Sequence, residues 1–299
     1  MIEIRLSVGY EEYEDGERMS ALIEKLAAGE HSEQLVSLII GDWGQAYENS
    51  PDSFLDTLIA NRERFPNLKK LFIGDMDYED CEVSWIIQTN LSPLLKAYPN
   101  LESFTVKGST SLRLDPLEHA RLQELVIICG GLPAEVLADI RNAKLPELRK
   151  LELYLGVDEY GFSGSLDDVL SVTEPGLFPK LTYLGLKDSE IQDEIAQALA
   201  DAPIPDQLET LDLSYGTLSD AGAEALLAVE RELIALGALN GSADEQGARA
   251  QESIPAQAAR RLPEEHGRIR YPAQWFRGYC RLLARLRLQA SSPASRCAG

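Results

Sequence analysis

QLETLDLSYGTLSDAGAEALLA, residues 207–228, decides the fold. Leu208, Leu211 and Leu213 are spaced L-x-x-L-x-L, and Leu218 follows five residues later. The alternation predicts a strand. Ser219 reads as a helix N-cap, and residues 221–229 as a short helix with Ala223, Leu226 and Leu227 on one face. A strand, a turn and a helix in about two dozen residues cannot bury their own apolar side, so the unit requires neighbours like itself.

The neighbours are present. The same spacing recurs at Leu35/Leu38/Ile40, Leu68/Leu71/Ile73, Leu101/Phe104/Val106, Leu122/Leu125/Ile127, Leu148/Leu151/Leu153 and Leu181/Leu184/Leu186. With the unit at Leu208, the successive intervals are 33, 33, 21, 26, 33 and 27 residues. Four units follow nearly the same phrase: Phe65-Pro66-Asn67, Tyr98-Pro99-Asn100, Leu145-Pro146-Glu147 and Phe178-Pro179-Lys180. Proline there ends the preceding helix and turns the residue before it toward extended backbone.

Helix-like segments lie between the strands. Phe54, Leu55, Leu58 and Ile59 share a face after Pro51; Val136, Leu137 and Ile140 do so after Pro133. Leu166, Val169 and Leu170 form a shorter segment, and Ile191, Ile195, Ala198 and Leu199 the next. Trp85, Ile86, Leu91, Leu94, Leu95 and Tyr98 predict one more, interrupted at Pro93. The 21-residue interval leaves room only for turns or a 3₁₀ piece after Val106. At the N-terminus, Ile2–Val8 alternates as a strand, residues 11–17 form an acidic turn, and Met19–Ala28 is a short helix.

This pattern resembles the leucine-rich repeat family over roughly residues 35–230, and its last unit resembles the helix-bearing repeats of the ribonuclease-inhibitor type. As a whole the chain resembles bacterial intracellular leucine-rich repeat proteins. The family usually places Asn or Cys three residues after the last strand leucine; here those positions hold Trp43, Met76, Ser109, Gly130, Gly156, Ser189 and Gly216. The resemblance implies an α/β solenoid, a horseshoe with parallel strands on the concave face and helices outside. On this reading residues 1–34 are expected to form a cap, 35–230 about seven repeats, and 231–299 a basic, poorly ordered tail.

The 299-residue chain carries a net charge of −21. That disfavours nucleic acid as a partner, because a phosphate backbone needs a basic footprint. Residues 1–230 hold 17 Lys and Arg against 43 Asp and Glu, whereas 231–299 hold 11 against 6, every cation there an arginine. The shift fits a reading-frame change or degenerate terminus, a genuine binding tail, or an irregular cap. Residues 268–288 place Trp275, Tyr279, Leu282, Leu283 and Leu286 at helical spacing among arginines, which suits a membrane surface or an acidic partner. Four scattered cysteines without C-x-x-C point to a reducing cytoplasm. Neither a signal peptide nor an apolar run of about 18 residues is apparent, so no spanning helix is expected.

Catalytic signatures are weak. Residues 75–80, DMDYED, gather carboxylates but lack the glycine and distal glutamate of a calcium loop, and read as a solvated acidic loop. GFSGS at 161–165 fails the G-x-S-x-G pattern at its fifth position. No nucleotide fingerprint occurs, and neither catalytic residues, cofactor nor metal are expected. The resulting expectation is a non-catalytic cytoplasmic scaffold that binds a protein on its concave face. Tyr154, Tyr183 and Tyr215 lie near Glu152, Asp188 and Asp212 there, a combination suited to a basic partner, and Phe72 adds an apolar contact in the N-terminal half. A membrane-associated adaptor using the arginine-rich tail is the alternative. An enzyme with chemistry at 75–80 or around Cys280 and Cys297 is a weaker one. Oligomeric state has no signature.

Overall fold

The computed structural model describes residues 2–202, 205 and 207–228. Eight strands form one sheet in sequence order, every neighbouring pair parallel: β1 (Ile2–Val8), β2 (Leu35–Trp43), β3 (Lys70–Ile73), β4 (Ser103–Lys107), β5 (Glu124–Ile128), β6 (Lys150–Gly156), β7 (Tyr183–Ser189) and β8 (Thr210–Asp212). The expected seven repeat strands are therefore joined by an eighth from the N-terminal segment. Parallel neighbours need crossovers. The helical ones are α1 (Tyr10–Glu14) with α2 (Met19–Ala28), α3 (Asp52–Ala60), α4 (Ser92–Ala97), α5 (Ala134–Arg141), α6 (Leu166–Ser171) and α7 (Gln192–Asp201). A last helix begins at residue 220, where Ser219 Oγ accepts from the Ala221 N–H at 3.1 Å, the cap its sequence predicts.

Register turns the repeat into two core rows. Leu38, Leu71, Phe104, Leu125, Leu151, Leu184 and Leu211 face one another strand to strand, all buried. Ile40, Ile73, Val106, Ile127, Leu153 and Leu186 form the second row. Helix residues such as Phe54, Leu58, Val136, Ile140, Ile195 and Leu199 close on the same core. Phe65, Tyr98, Leu145 and Phe178, each just before its proline, are also buried. The next residue of the phrase ties units together: Asn67 Nδ2 donates to Glu33 O at 2.7 Å, and Asn100 Nδ2 to Pro66 O at 3.0 Å.

Side chains at the C-terminal ends of the strands bond the turns where an asparagine ladder is lacking. Ser109 Oγ donates to Gly131 O at 2.6 Å, Cys129 Sγ to Tyr154 O at 3.1 Å, and Gln192 Nε2 to Leu186 O at 2.9 Å. The backbone there repeatedly turns left-handed, and Gly156 shows why glycine is used. Its φ is 72°, and a Cβ would lie 1.7 Å from Gly130 O.

Three expectations fail locally. The segment from Trp85 to Tyr98 is not one helix: Val83–Trp85 is a 3₁₀ turn, Ile87 and Asn90 bridge to Thr110 and Arg113, and α4 starts only at Ser92. Pro93 lies in the first turn of α4, where its missing N–H is harmless, instead of interrupting a longer helix. The acidic turn at 11–17 contains a helical turn, α1, with Glu11 and Glu12 at its N-terminus. The connection after β4 contains no helix, as its length requires. Residues 231–299, including the amphipathic pattern from Trp275, lie outside the described residues.

Candidate functional site

One face of the sheet is covered by helices and the other, among the described residues, is open. Across the open face runs the row Arg5, Ile39, Phe72, Thr105, Val126, Glu152, Gly185 and Asp212. Ile39, Phe72 and Val126 are half-exposed and stand outside the core cluster. The N-terminal half of this face is thus apolar at its centre, and Arg5 pairs with Asp75 at its edge.

At the other end four of the seven predicted contact residues converge on a cation, Lys187, and a fifth, Tyr183, joins them through Asp212. Lys187 Nζ lies 3.1 Å from Glu152 Oε1 and 3.8 Å from Asp212 Oδ2. It also lies 4.8 Å from the Tyr154 ring centroid and 4.7 Å from that of Tyr215. The two rings stack, 6.1 Å apart and 22° from parallel. Lys150 Nζ bonds Glu152 Oε2 at 2.9 Å and sits 5.1 Å from the Tyr183 ring centroid. Tyr183 O–H donates to Asp212 Oδ2 at 2.6 Å. Gly185 makes the room: a Cβ there would come within 3.1 Å of Glu152 Cγ and 3.3 Å of Lys187 Cδ.

The electrostatics follow from burial opposed by pairing. Burial opposes ionisation of Glu152, yet hydrogen bonds and charge from Lys150 and Lys187 hold its carboxyl below the ordinary value. Asp212 is likewise disfavoured by burial and held low by hydrogen bonds from Ser214 and Tyr183 and by the Lys187 charge. For Lys187 burial disfavours the ammonium, but Tyr154 and Glu152 outweigh it and the pKa rises. Tyr183 is pushed far up by burial, then by its bond to Asp212. All three charged groups are ionised at neutral pH in a nearly closed site; Lys187 is 3% exposed, Asp212 3% and Glu152 8%.

Outward-facing does not mean exposed here. Alternation gives the correct side of the strand for Glu152, Lys187, Asp212 and Ser214, but the large tyrosines fold over them. Tyr215 stays exposed; its φ of 69°, uncommon for a tyrosine, is the conformation in which its ring stacks on Tyr154 and caps Lys187. Asp188 stands beside the cluster in a left-handed conformation, with its N–H donating to Ser214 O at 2.9 Å and its carboxyl pushed up by burial. Phe72 is three strands away from Glu152 in the same row, about 14 Å at ordinary strand spacing. The sequence-level selection missed Lys150, Lys187 and Gly185. The signal was the i, i+2 spacing of Tyr183, Gly185 and Lys187, which puts all three on one face.

Residues 75–80 are organised by their own backbone. Asp77 Oδ1 accepts from Glu79 N at 2.9 Å and Asp80 N at 3.1 Å, while Lys107 Nζ donates to Met76 O. Among the described residues no three His, Cys, Asp or Glu side chains form a group that would hold a metal ion. No helix among them is long and apolar enough to cross a membrane.

A parallel α/β solenoid with a helix-covered face and an open strand face defines a class of repeat protein. The family model described as Leucine Rich repeat matches residues 179–200 and 208–227. A crystal structure of a protein from Bacteroides fragilis, a Northeast Structural Genomics Consortium target, superposes with a TM-score of 0.64. It is 31% identical, over 76% of this chain and 71% of that one. No curated protein matches in sequence. The chain belongs to the leucine-rich repeat family, whose repeats serve in general as protein-interaction scaffolds without enzymatic activity.

Proposed function

We propose that this chain is a non-catalytic scaffold of the bacterial cytoplasm that takes a protein partner on the open face of its sheet. The observation that carries the reading is the uncovered row Ile39, Phe72 and Val126, leading to the tyrosines over Lys187. Rigid aromatic side chains beside an apolar strip are what interface centres are made of. Phe72, Tyr154 and Tyr215 are the contact residues in this reading. Glu152, Tyr183 and Asp212 hold the cluster in place, with Asp188 beside it. The basic character of the partner rests on the net charge of −21 and not on Glu152 and Asp212, which already hold Lys187. The unpaired, buried Cys81 and Cys129 fit a reducing compartment.

The test is a titration of the full chain against a partner isolated with it from its source cells. Phe72→Glu is expected to weaken binding at least about tenfold. Asp56→Lys, on the exposed side of α3, is expected to leave it within about twofold. Equal loss from both variants sinks the assignment to the sheet face.

A further inference from the structure

Large exposed aromatics are distributed on one side only. Among the described residues they are Tyr10, Tyr47, Tyr78, Trp85, Tyr160 and Tyr215. Every one lies in a connection that leaves the C-terminal end of a strand: after β1, β2, β3 twice, β6 and β8. None lies in the stretch between a crossover helix and the strand that follows it, where Phe65, Tyr98 and Phe178 are buried. Because all strands are parallel, these connections share one rim of the solenoid. Neighbouring loops also meet there. Glu14 accepts from Gln45 at 3.1 Å, and a Cβ on Gly130 would touch both Ser84, beside Trp85, and Tyr160. Tyr78 is 80% exposed and Trp85 60%, large apolar areas for a surface to leave in water.

Charge separates the two rims as well. The connections at 9–18 and 74–91 hold ten carboxylates and one cation, Arg18, which is occupied over the Tyr13 ring at 3.9 Å. From the sheet, Arg5 reaches Asp75, and Lys107 reaches Met76 O within the field of Asp77 and Asp80; the loops themselves offer their other carboxylates no basic side chain but Arg18. At the opposite rim acids pair across repeats: Lys69 with Glu102 at 2.7 Å, Lys144 with Glu118 at 2.6 Å and Lys180 with Glu147 at 2.7 Å. The chain also shows in itself what such a surface accepts. Where tyrosines and carboxylates meet on the open face, an ammonium sits between them, in Lys187.

We propose that the rim at the C-terminal ends of the strands is a docking edge for a lysine- and arginine-rich polypeptide segment of a partner, with Tyr47, Tyr78 and Trp85 as its aromatic anchors. The aromatic faces take guanidinium or ammonium groups, and the adjacent Glu48, Asp77 and Glu79 supply the opposite charge. The proposal rests on the scaffold reading and assigns a separate part of the surface.

The test uses the full chain and a short fluorescein-labelled lysine–arginine–glycine peptide, read by fluorescence anisotropy at low and high salt, with a glutamate–glycine peptide as control. Salt-sensitive binding of the basic peptide alone is expected. Tyr78→Ala with Trp85→Ala should weaken it about tenfold, and Glu48→Lys with Glu79→Lys at least as much. Glu30→Lys, before β2 on the opposite rim, should change it less than about twofold. All these residues are exposed, so the variants are expected to melt with the parent chain. Loss from the charge variants without loss from the aromatic pair reduces the effect to bulk acidity and overturns the proposal. Loss from Phe72→Ala but not from the rim variants also overturns it, while leaving the sheet face standing as the contact surface. Binding that appears only after the arginines of residues 260–296 are changed to glutamine assigns the rim to the chain's own C-terminal segment and rejects a separate partner.

Discussion

Replacing Lys187 by methionine keeps an unbranched stem between the Tyr154 and Tyr215 rings and removes only the ammonium. Glu152 and Asp212 are then left nearly enclosed with one cation fewer. Removing one member of a buried ion pair typically costs about 3–5 kcal/mol, because the remaining charge loses its partner without regaining water. Two contacts soften the loss: Lys150 still bonds Glu152 at 2.9 Å, and Tyr183 still donates to Asp212 at 2.6 Å. The low end, about 3 kcal/mol, is therefore expected, corresponding to a melting point lowered by about 6–12 °C for a domain of this size. Both carboxyls have folded pKa values below their unfolded ones. Each therefore contributes stability that is present above the unfolded pKa of about 4 and is lost as pH falls through the folded value. The deficit of Lys187→Met should be full above about pH 5 and should shrink as acid protonates the stranded carboxylates. Urea unfolding followed by circular dichroism across this range measures it. An unchanged midpoint at neutral pH, or a deficit that widens on acidification, would refute the reasoning.

Gly156→Ala places a methyl group against Gly130 O at a backbone φ of 72°, and should destabilise by roughly 2 kcal/mol or more in the same urea assay. Arg113→Ala strips a bidentate partner, at 2.9 and 2.8 Å, from the buried Asp139, leaving that carboxylate the Leu114 N–H. A lowered urea midpoint is expected, with Arg113→Lys recovering only part because it lacks the fork. Burial pushes the Cys129 thiol up to about 12, so in a chain carrying Cys280→Ser and Cys297→Ser it should alkylate at least about 100-fold faster in urea than when folded, read by peptide mass. Gly185→Val should displace Glu152 and Lys187, whose side-chain carbons it would meet, and raise the solvent accessibility of Tyr183 seen in its ultraviolet spectrum.

The repeat was legible because its leucines do one job seven times: L-x-x-L-x-L fixes strand direction and face together, and the helix starts at Pro51, Pro133 and Ser219 carry their own local chemistry. The segment 85–98 was misread because Ile86 and Leu91 are buried from an extended stretch, in which Ile87 and Asn90 bridge to Thr110 and Arg113, and apolar content alone does not distinguish that from a helix. At the site, alternation correctly placed Glu152, Tyr154, Tyr183 and Asp212 on the open side. It says nothing of which side chain crosses to which. Lys187 meets residues 35 positions before it and 25 after it, so their convergence is a property of register. The rim was written locally, in Tyr10-Glu11, Tyr47-Glu48 and Asp77-Tyr78-Glu79, but only parallel stacking shows that these pairs share one edge.

The most direct test of a partner held on the open face and its rim is photo-crosslinking in the source cells. p-Benzoylphenylalanine is placed singly at Phe72, Tyr78 and Tyr215 on the one side, and at Asp56 and Lys25 on the helical side. The account predicts that the first three positions join the same polypeptide, identified by mass spectrometry as one with a basic segment at the Tyr78 crosslink, and that the helical positions do not. Crosslinks from the helical side alone, or from all five positions to unrelated proteins, would contradict it.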